Sequence, residues 1–208
     1  MTAGRVVGHP YLRKDAHSKV TGEYRYGMDW ALPGMLHGAV VRSTHPHARI
    51  LDIDVREAKN MPGVEAVLIG SELPALLLPG VVWDQPPLAR ELVRYVGEPI
   101  ALVAASRLEI AQAAVRSFRI LLDPLPVVDD PEAAMELGAP LVHEDWSSYK
   151  ASDGLVRHGN ICCHSTLKLG DLQEGFAASD LVVEESFTTV SVHQAHLEPR
   201  VAIGALEA

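Results

Sequence analysis

A pattern of strand, helix and strand occurs twice in the sequence and constrains the fold more than any other feature. The first copy spans residues 48–70, ARILDIDVREAKNMPGVEAVLIG, where a turn at Pro62–Gly63 separates a helix-compatible stretch from the second strand. The second copy spans residues 99–126, PIALVAASRLEIAQAAVRSFRILLDPLP. Two such units in series predict an α+β domain over residues 23–128.

The helix of the second copy has a predicted N-terminal cap and a predicted buried face. Ser106 precedes it and Glu109 follows three residues later, which is the spacing of a capping box. Helical spacing predicts an inward face of mostly small side chains that lies close on a sheet. The predicted face consists of Ile110, Ala113, Ala114 and Ser117.

The remaining segments differ in character from the two repeats. Residues 1–22 are polar and form an N-terminal extension, and residues 129–159 are acidic and turn-rich, as expected of a linker. Residues 160–208 open a second domain. In it, Asp171 is placed to cap a short helix, and the alternation over residues 181–196 predicts a long strand.

Composition limits the class of protein. The 208 residues are 48% hydrophobic with a formal charge of −9, which is typical of a soluble globular protein and argues against a binder of nucleic-acid phosphates. The two cysteines are adjacent, Cys162 and Cys163, and no CxxC motif occurs, so a reducing compartment is favoured. No signal peptide or membrane-length apolar run is visible, so we expect a cytoplasmic protein without a membrane segment.

The stretch SVHQAHLEPR at residues 191–200 concentrates polar side chains. On a helix His193 and His196 share a face, but Glu198 lies about 140° from His193; on a strand His196 and Glu198 share a face and His193 does not. Three side chains therefore never converge, and a protein-ligated metal is disfavoured. A polar wall beside a bound ligand and an ordinary buried strand both remain open.

A second polar stretch, RSTHPHARI, follows a predicted strand. Strand alternation would place His45, His47 and Arg49 on one side as a possible anion-binding edge, although a polar edge facing solvent or a partner is favoured. The sequence contains no GxGxxG, GxxxxGK[ST] or GxSxG motif, so neither a phosphate-binding loop nor a serine nucleophile elbow is predicted.

Several short motifs in collinear order resemble the molybdopterin-binding (large) subunit of the xanthine dehydrogenase/aldehyde oxidase family. The family pattern G-x-A-x-Y-x-x-D, L-P-G-M-L-H, R-S-x-x-x-H-A-R-I and A-x-x-x-P-G-V corresponds to GEYRYGMD, LPGMLH, RSTHPHARI and AKNMPGV here. The similarity continues through VRYVGEPIALVAA, LPVVDDPEAA, GDLQEGFAASDLVVEESFTT and HQAHLEPRVAI. Each motif is weak, but their common order covers nearly the whole chain.

The resemblance implies a fold and a chemistry. The fold is an α/β-hammerhead domain followed by the opening strands of a molybdenum-cofactor-binding domain. Enzymes of this family oxidise an aldehyde, a purine or another N-heteroaromatic with oxygen from water, and the molybdenum is held by the pterin rather than by side chains. Gln194, His196 and Glu198 would then be the positions nearest the cofactor or the substrate.

The resemblance also implies partners and an incomplete active site. Electrons would pass to two [2Fe–2S] clusters and FAD on an iron–sulfur subunit and an FAD subunit. The general-base glutamate and the remaining molybdopterin-binding domain or subunit would lie beyond residue 208, so this chain alone is not expected to be catalytic. A non-catalytic hammerhead module that binds a protein partner is the alternative.

Overall fold

The computed structural model describes residues 7–206, and the chain forms two compact units. One unit is Met35–Ala178, and the other combines the described parts of Met1–Gly34 and Ser179–Ala208. The predicted N-terminal extension and second domain lie partly outside the described residues. In the part of the chain that is described, no helix is both long and apolar enough to cross a bilayer.

The regular elements match the two predicted repeats closely. The helices, in chain order, are α1 Ala16–Thr21, α2 Arg56–Lys59, α3 Leu108–Arg116 and α4 Leu172–Ala177. The strands are β1 His37–Arg42, β2 Ala48–Asp54, β3 Val64–Ile69, β4 Leu92–Val93, β5 Pro99–Ala105, β6 Arg119–Pro124, β7 Val156–His158 and β8 Ile161–His164.

The two strand–helix–strand repeats exchange their strands. The first repeat is β2–α2–β3 and the second is β5–α3–β6, yet β2 pairs with β6 and β3 pairs with β5, both antiparallel. Adding β1 and β4 gives two three-stranded sheets of order β1-β5-β3 and β4-β2-β6. Each sheet therefore contains strands from both repeats, so neither repeat can form its sheet alone.

Small residues bring α2 and α3 close to the first sheet. Ala58 of α2 and Ala111 and Ala114 of α3 are fully buried against Val67 and Val103. Ala114 is buried as predicted, whereas Ala113 is only half-buried and Ala111 was not expected. A second core lies between β2, β4 and β5 and consists of Ala48, Ala89, Val93 and Ile100.

The predicted start of α3 is wrong by one residue. The N-cap is Arg107, in an extended conformation and without a side-chain cap, rather than Ser106. The backbone N–H of Ser106 donates to the carbonyl of Gly63 at 2.9 Å. Ser106 therefore contacts the Pro62–Gly63 turn and does not cap the helix. Glu109 instead forms an exposed ion pair with Arg107 at 3.2 Å.

The C-terminal predictions have a mixed outcome. Asp171 caps α4 as predicted, because its Oδ1 accepts from the N–H groups of Gln173 and Glu174 at 2.9 and 3.1 Å. The predicted strand over 181–196 is wrong, because these residues form no regular secondary structure and are exposed. Alternation yields a strand only when a neighbouring strand supplies hydrogen bonds, and no described strand pairs with this segment.

Side chains order the segment that was predicted to be a linker. Asn160 binds it three times: its Nδ2 donates to the carbonyls of Ala134 at 3.1 Å and Pro140 at 2.9 Å, and its Oδ1 accepts from Val142 N–H at 2.9 Å. The stretch is thereby held beside the β7–β8 hairpin. The predicted domain boundaries themselves stay predictions.

Within residues 7–34, the short helix α1 has clear end signals. Asp15 precedes α1 and pairs with Lys19 at 2.8 Å and Arg13 at 3.0 Å, and these bonds hold the pKa of its carboxyl at about 2. Gly22 ends the helix in the left-handed conformation, with φ 79°. The described structure has no strand between Gly22 and Gly27, and a 3-10 turn, Gly27–Asp29, follows.

Candidate functional site

The polar stretch around His196 folds into a tight irregular turn, and neither predicted geometry applies. Ala195 has a φ of 48°, and its N–H donates to Nδ1 of His193 at 3.0 Å. The rings of His193 and His196 meet edge to face with centroids 5.8 Å apart. The turn therefore brings the two histidines together by ring contact, without helical or strand spacing.

The second ring nitrogen of His196 has a defined partner. Arg200 Nη2 lies 3.1 Å from His196 Nε2. A guanidinium only donates, so Nε2 is the acceptor in this contact and the ring N–H lies on Nδ1. His196 thus presents one N–H donor next to a fixed positive charge.

Glu198 contacts a residue far away in the sequence. Its Oε1 accepts from the backbone N–H of Gly27 at 2.9 Å. An open cavity of about 690 Å³ is lined by Gly27 and by the run from His196 to Val201. The structure thus brings His196 and Glu198, two of the three predicted site residues, to one cavity, whereas Gln194 is outside its lining.

The second predicted polar cluster lacks the strand geometry on which it depends. Strand β2 begins only after His47, whose Nδ1 donates to the carbonyl of Pro126 at 2.6 Å. His45 Nδ1 lies 3.1 Å from the hydroxyl of Thr44 instead. The alternation that would align these two histidines with Arg49 is therefore absent.

The unit of residues 35–178 holds a cavity of about 600 Å³ that was not predicted. His143, Trp146 and Tyr149 form part of its wall. His143 Nδ1 lies 3.2 Å from the hydroxyl of Tyr149, and their rings meet edge to face at 5.4 Å. Arg157 fixes this wall by donating to the carbonyls of Trp146 at 3.1 Å and Tyr149 at 3.0 Å.

Burial favours the uncharged forms of His143 and Tyr149 in this cavity. It lowers the pKa of His143, and the nearby positive charge of Arg94 lowers it further. Burial also raises the pKa of the Tyr149 phenol. This cavity wall could have been suspected from the sequence, because a histidine and two aromatic residues lie within seven positions of each other in the predicted linker.

A smaller cavity of about 330 Å³ adjoins the same histidine and contains a buried carboxylate. Glu98 is 3% exposed, and its Oε2 accepts from the backbone N–H of Arg94. Burial raises the pKa of this carboxyl, while the backbone N–H and the charge of Arg94 oppose the rise. Within residues 7–206, no group of three or more His, Cys, Asp or Glu side chains is arranged to bind a metal ion.

Comparison with known proteins places these features in one class. The model of the family described as "Aldehyde oxidase and xanthine dehydrogenase, a/b hammerhead domain" matches residues 21–126, slightly more than half of the chain. The chain belongs to this family, as the collinear motifs predicted.

Curated relatives extend the similarity beyond the hammerhead. The chain is 42% identical over 177 residues to a probable xanthine dehydrogenase subunit of Bacillus subtilis, and the match covers 85% of this chain and 22% of that protein. It is 32% identical over 196 residues to the nicotinate dehydrogenase large molybdopterin subunit of Eubacterium barkeri, covering 94% and 43%. The chain thus spans less than half the length of each of these relatives.

Solved structures agree with this relationship. A Cu,Mo-CO dehydrogenase in its carbon monoxide-reduced state aligns with a TM-score of 0.70 and 35% identity over 84% of this chain and 23% of that one. Quinoline 2-oxidoreductase from Pseudomonas putida aligns with a TM-score of 0.60 and 38% identity over 65% of this chain and 18% of that one. The predicted fold class is confirmed as an α+β chain with a hammerhead domain that matches the N-terminal part of molybdenum hydroxylase large subunits.

Proposed function

We propose that this chain acts as part of the molybdopterin-binding subunit of a molybdenum hydroxylase that oxidises an aldehyde, a purine or another N-heteroaromatic compound with oxygen from water. The observation that carries the proposal is the similarity of 84% of the chain to a molybdenum-containing dehydrogenase, at 35% identity and a TM-score of 0.70. Relatives with names as different as xanthine dehydrogenase and nicotinate dehydrogenase leave the substrate class this broad.

The residues of the candidate site fit a cofactor that is held by hydrogen bonds. The His196 ring carries a donor on Nδ1 and is fixed by Arg200, and Gln194 offers an amide in the same turn. A pterin that brings its own sulfur ligands for molybdenum requires donors and acceptors of this kind rather than side-chain metal ligands. When bound, it supplies the oxygen transfer and the uptake of electrons. Gln194, His196 and Glu198 are therefore proposed as cofactor-adjacent residues.

The proposed enzyme is completed by other polypeptide. The remaining molybdopterin-binding region would contribute the general-base glutamate, and an iron–sulfur subunit and an FAD subunit would carry electrons away from the site through [2Fe–2S] clusters and FAD. A cytoplasmic location is consistent with an acidic chain that has adjacent free cysteines, Cys162 and Cys163. In this arrangement the chain organises the site and its subunit contacts and does not turn over substrate alone.

Elemental analysis and pterin fluorescence test the proposal. The chain is purified alone and together with the products of neighbouring genes, and molybdenum and pterin are measured in each sample. We expect both in the co-purified complex at close to one equivalent, and neither in the chain alone. A complex that forms but contains no molybdenum or pterin would contradict the proposal and would favour a hammerhead module that only binds a protein partner.

A further inference from the structure

We propose that Glu198 is a positioning residue whose carboxylate anchors the N-terminal turn at Gly27 to the His196–Val201 segment. The proposal rests on the proposed function and assigns a role to one of its three cofactor-adjacent residues. The bond joins Glu198 Oε1 to Gly27 N–H at 2.9 Å across 171 residues of sequence. A carboxylate bound to a backbone N–H forms a charge-assisted bond, stronger than a bond between two neutral groups.

The turn that receives this bond is already ordered by its own contacts. Asp29 Oδ2 accepts from Tyr26 N–H at 2.9 Å, and Asp29 N–H donates to the carbonyl of Tyr26 at 3.0 Å. Gly27 begins the 3-10 turn, and its N–H points out of it toward Glu198. Because the turn is closed by its own bonds, the contact with Glu198 joins a formed turn to the second segment.

Close packing at Gly27 supports the same role. A Cβ built on Gly27 would lie 3.1 Å from Val201 Cγ2 and 3.2 Å from Val201 Cβ, closer than most side-chain contacts. The backbone of Gly27 is outside the left-handed region, so alanine would be tolerated there if Val201 were absent. Glycine thus permits the approach that the Glu198 bond requires.

The two histidines of the turn are engaged elsewhere. His196 Nε2 accepts from Arg200, and His193 Nδ1 accepts from Ala195 N–H. Glu198 therefore differs in role from its neighbours: it fixes the backbone, while His196 keeps its Nδ1–H available for a ligand. The segment holds its position through Glu198 and presents its donor through His196.

Substitution in the full-length subunit that contains this chain tests the role. Glu198→Gln keeps an acceptor oxygen and Glu198→Ala removes it. Gly27→Ala pushes on Val201, while its Cβ meets Glu198 Oε1 only at an ordinary contact distance of 3.7 Å. The matched controls are Glu185→Gln, an exposed glutamate that precedes the His196–Val201 segment, and Gly204→Ala, where a Cβ meets nothing within 4 Å. Hydrogen–deuterium exchange of a peptide covering residues 24–30 and molybdopterin content are measured for each protein.

The expected result is a graded series. Exchange at residues 24–30 rises roughly fivefold in Glu198→Ala, as expected for the loss of one hydrogen bond, and less in Glu198→Gln. Gly27→Ala raises exchange and lowers molybdopterin content in the same direction as Glu198→Ala, and both controls match the wild type. Rescue of molybdopterin content by Glu198→Gln distinguishes an acceptor that anchors a backbone from a charge that acts on the cofactor.

Two outcomes overturn the role of Glu198. If Glu198→Gln loses as much molybdopterin as Glu198→Ala while exchange at residues 24–30 stays at the wild-type rate, the carboxylate acts through its charge. Unchanged exchange in Glu198→Ala also rejects the anchor. Failure of the proposed function gives a different signal, because wild-type protein then lacks molybdopterin while the exchange comparison still reports on the anchor.

Discussion

Glu98 is a single residue whose burial has a measurable consequence for stability. Its carboxyl is buried at the turn between β4 and β5, and burial raises its pKa above the ordinary value. A folded-state pKa above the unfolded value means that the folded protein binds more protons, so the contribution to stability is fully present below the unfolded pKa and is lost as pH rises through the folded pKa. The ionised form of this carboxyl is therefore the less stabilising one.

We expect Glu98→Gln to remove this pH dependence. The amide oxygen can still accept from Arg94 N–H, but it carries no charge to desolvate. The free energy of unfolding should be higher than that of the wild type at pH 7, and the difference should shrink as the pH falls toward the ordinary pKa of a glutamate, about 4.3. Urea titrations between these pH values measure it, with the exposed Glu91→Gln as control. A difference that is constant with pH would contradict the assignment.

Gly70 is a residue at which the fold leaves no room for a side chain. A Cβ there would lie 2.1 Å from the carbonyl oxygen of Ala89, a backbone atom that cannot rotate away. Gly70→Ala should therefore separate the end of β3 from the second core. We expect the free energy of unfolding to fall by about 3 kcal/mol or more, as it does with severe backbone strain or overpacking. Thermal unfolding measures this change.

Gly38 of β1 provides the matched control for that substitution. A Cβ at Gly38 meets nothing within 4 Å, and its φ is outside the left-handed region. Gly38→Ala should be neutral or stabilise by about 0.5 kcal/mol, because alanine loses less backbone entropy on folding. Equal melting temperatures for the two variants would show that the backbone at Gly70 moves to accept a methyl group.

At the scale of elements, α3 depends on small residues. Ala111 and Ala114 are fully buried against the first sheet, and three added carbon atoms at Ala114 would have no space. Ala114→Leu should destabilise the protein by about 1–3 kcal/mol. The control Gln112→Leu adds an apolar side chain to the exposed face of the same helix and should change stability by less than about 0.5 kcal/mol. Chemical denaturation measures both variants, and a larger loss for Gln112→Leu would reject this packing.

The helices and strands of this chain follow from local sequence signals more closely than the pairing of the strands does. The strands and helices of the two repeats were predictable, because periodicity and the turn at Pro62–Gly63 are local signals. The exchange of strands between the repeats was not predictable, because strand pairing and register depend on contacts between residues far apart in the sequence. The start of α3 was misassigned because the Ser106–Gly63 bond is a tertiary contact.

The candidate site shows the same division between local and long-range information. The concentration of polar residues at 193–198 was visible in the sequence, and so was the poor ligand geometry for a metal. The bond between Glu198 and Gly27 and the His143–Tyr149 pair were not, because each depends on a chain path that no spacing rule encodes. The chemical character of the site residues was predictable from the sequence, whereas their hydrogen-bonding partners were not.

At the scale of the whole molecule, residues 181–192 expose an unusual amount of apolar surface. Phe187 is 88% exposed and Val190 is 82% exposed, and Leu181 at the start of the segment is also exposed. Soluble proteins rarely leave a contiguous apolar stretch of this kind uncovered. Since the relatives are several times longer than the matched region, we expect further polypeptide of the proposed subunit to cover this segment.

Amide hydrogen exchange measures whether further polypeptide covers residues 181–192. In the 208-residue chain its backbone groups have no strand partner among the described residues, so amide hydrogens of 181–192 should exchange at nearly the unprotected rate. In the full-length subunit, pairing with a neighbouring strand should slow exchange at alternate positions by about 100-fold or more, because strand pairing satisfies every second N–H on each edge. The β5 segment, Pro99–Ala105, is the internal reference, since it is already central in a sheet and should be protected in both samples. Equally fast exchange of 181–192 in both samples would mean that the alternating pattern does not form a strand, and the apolar side chains would then require a partner of another kind.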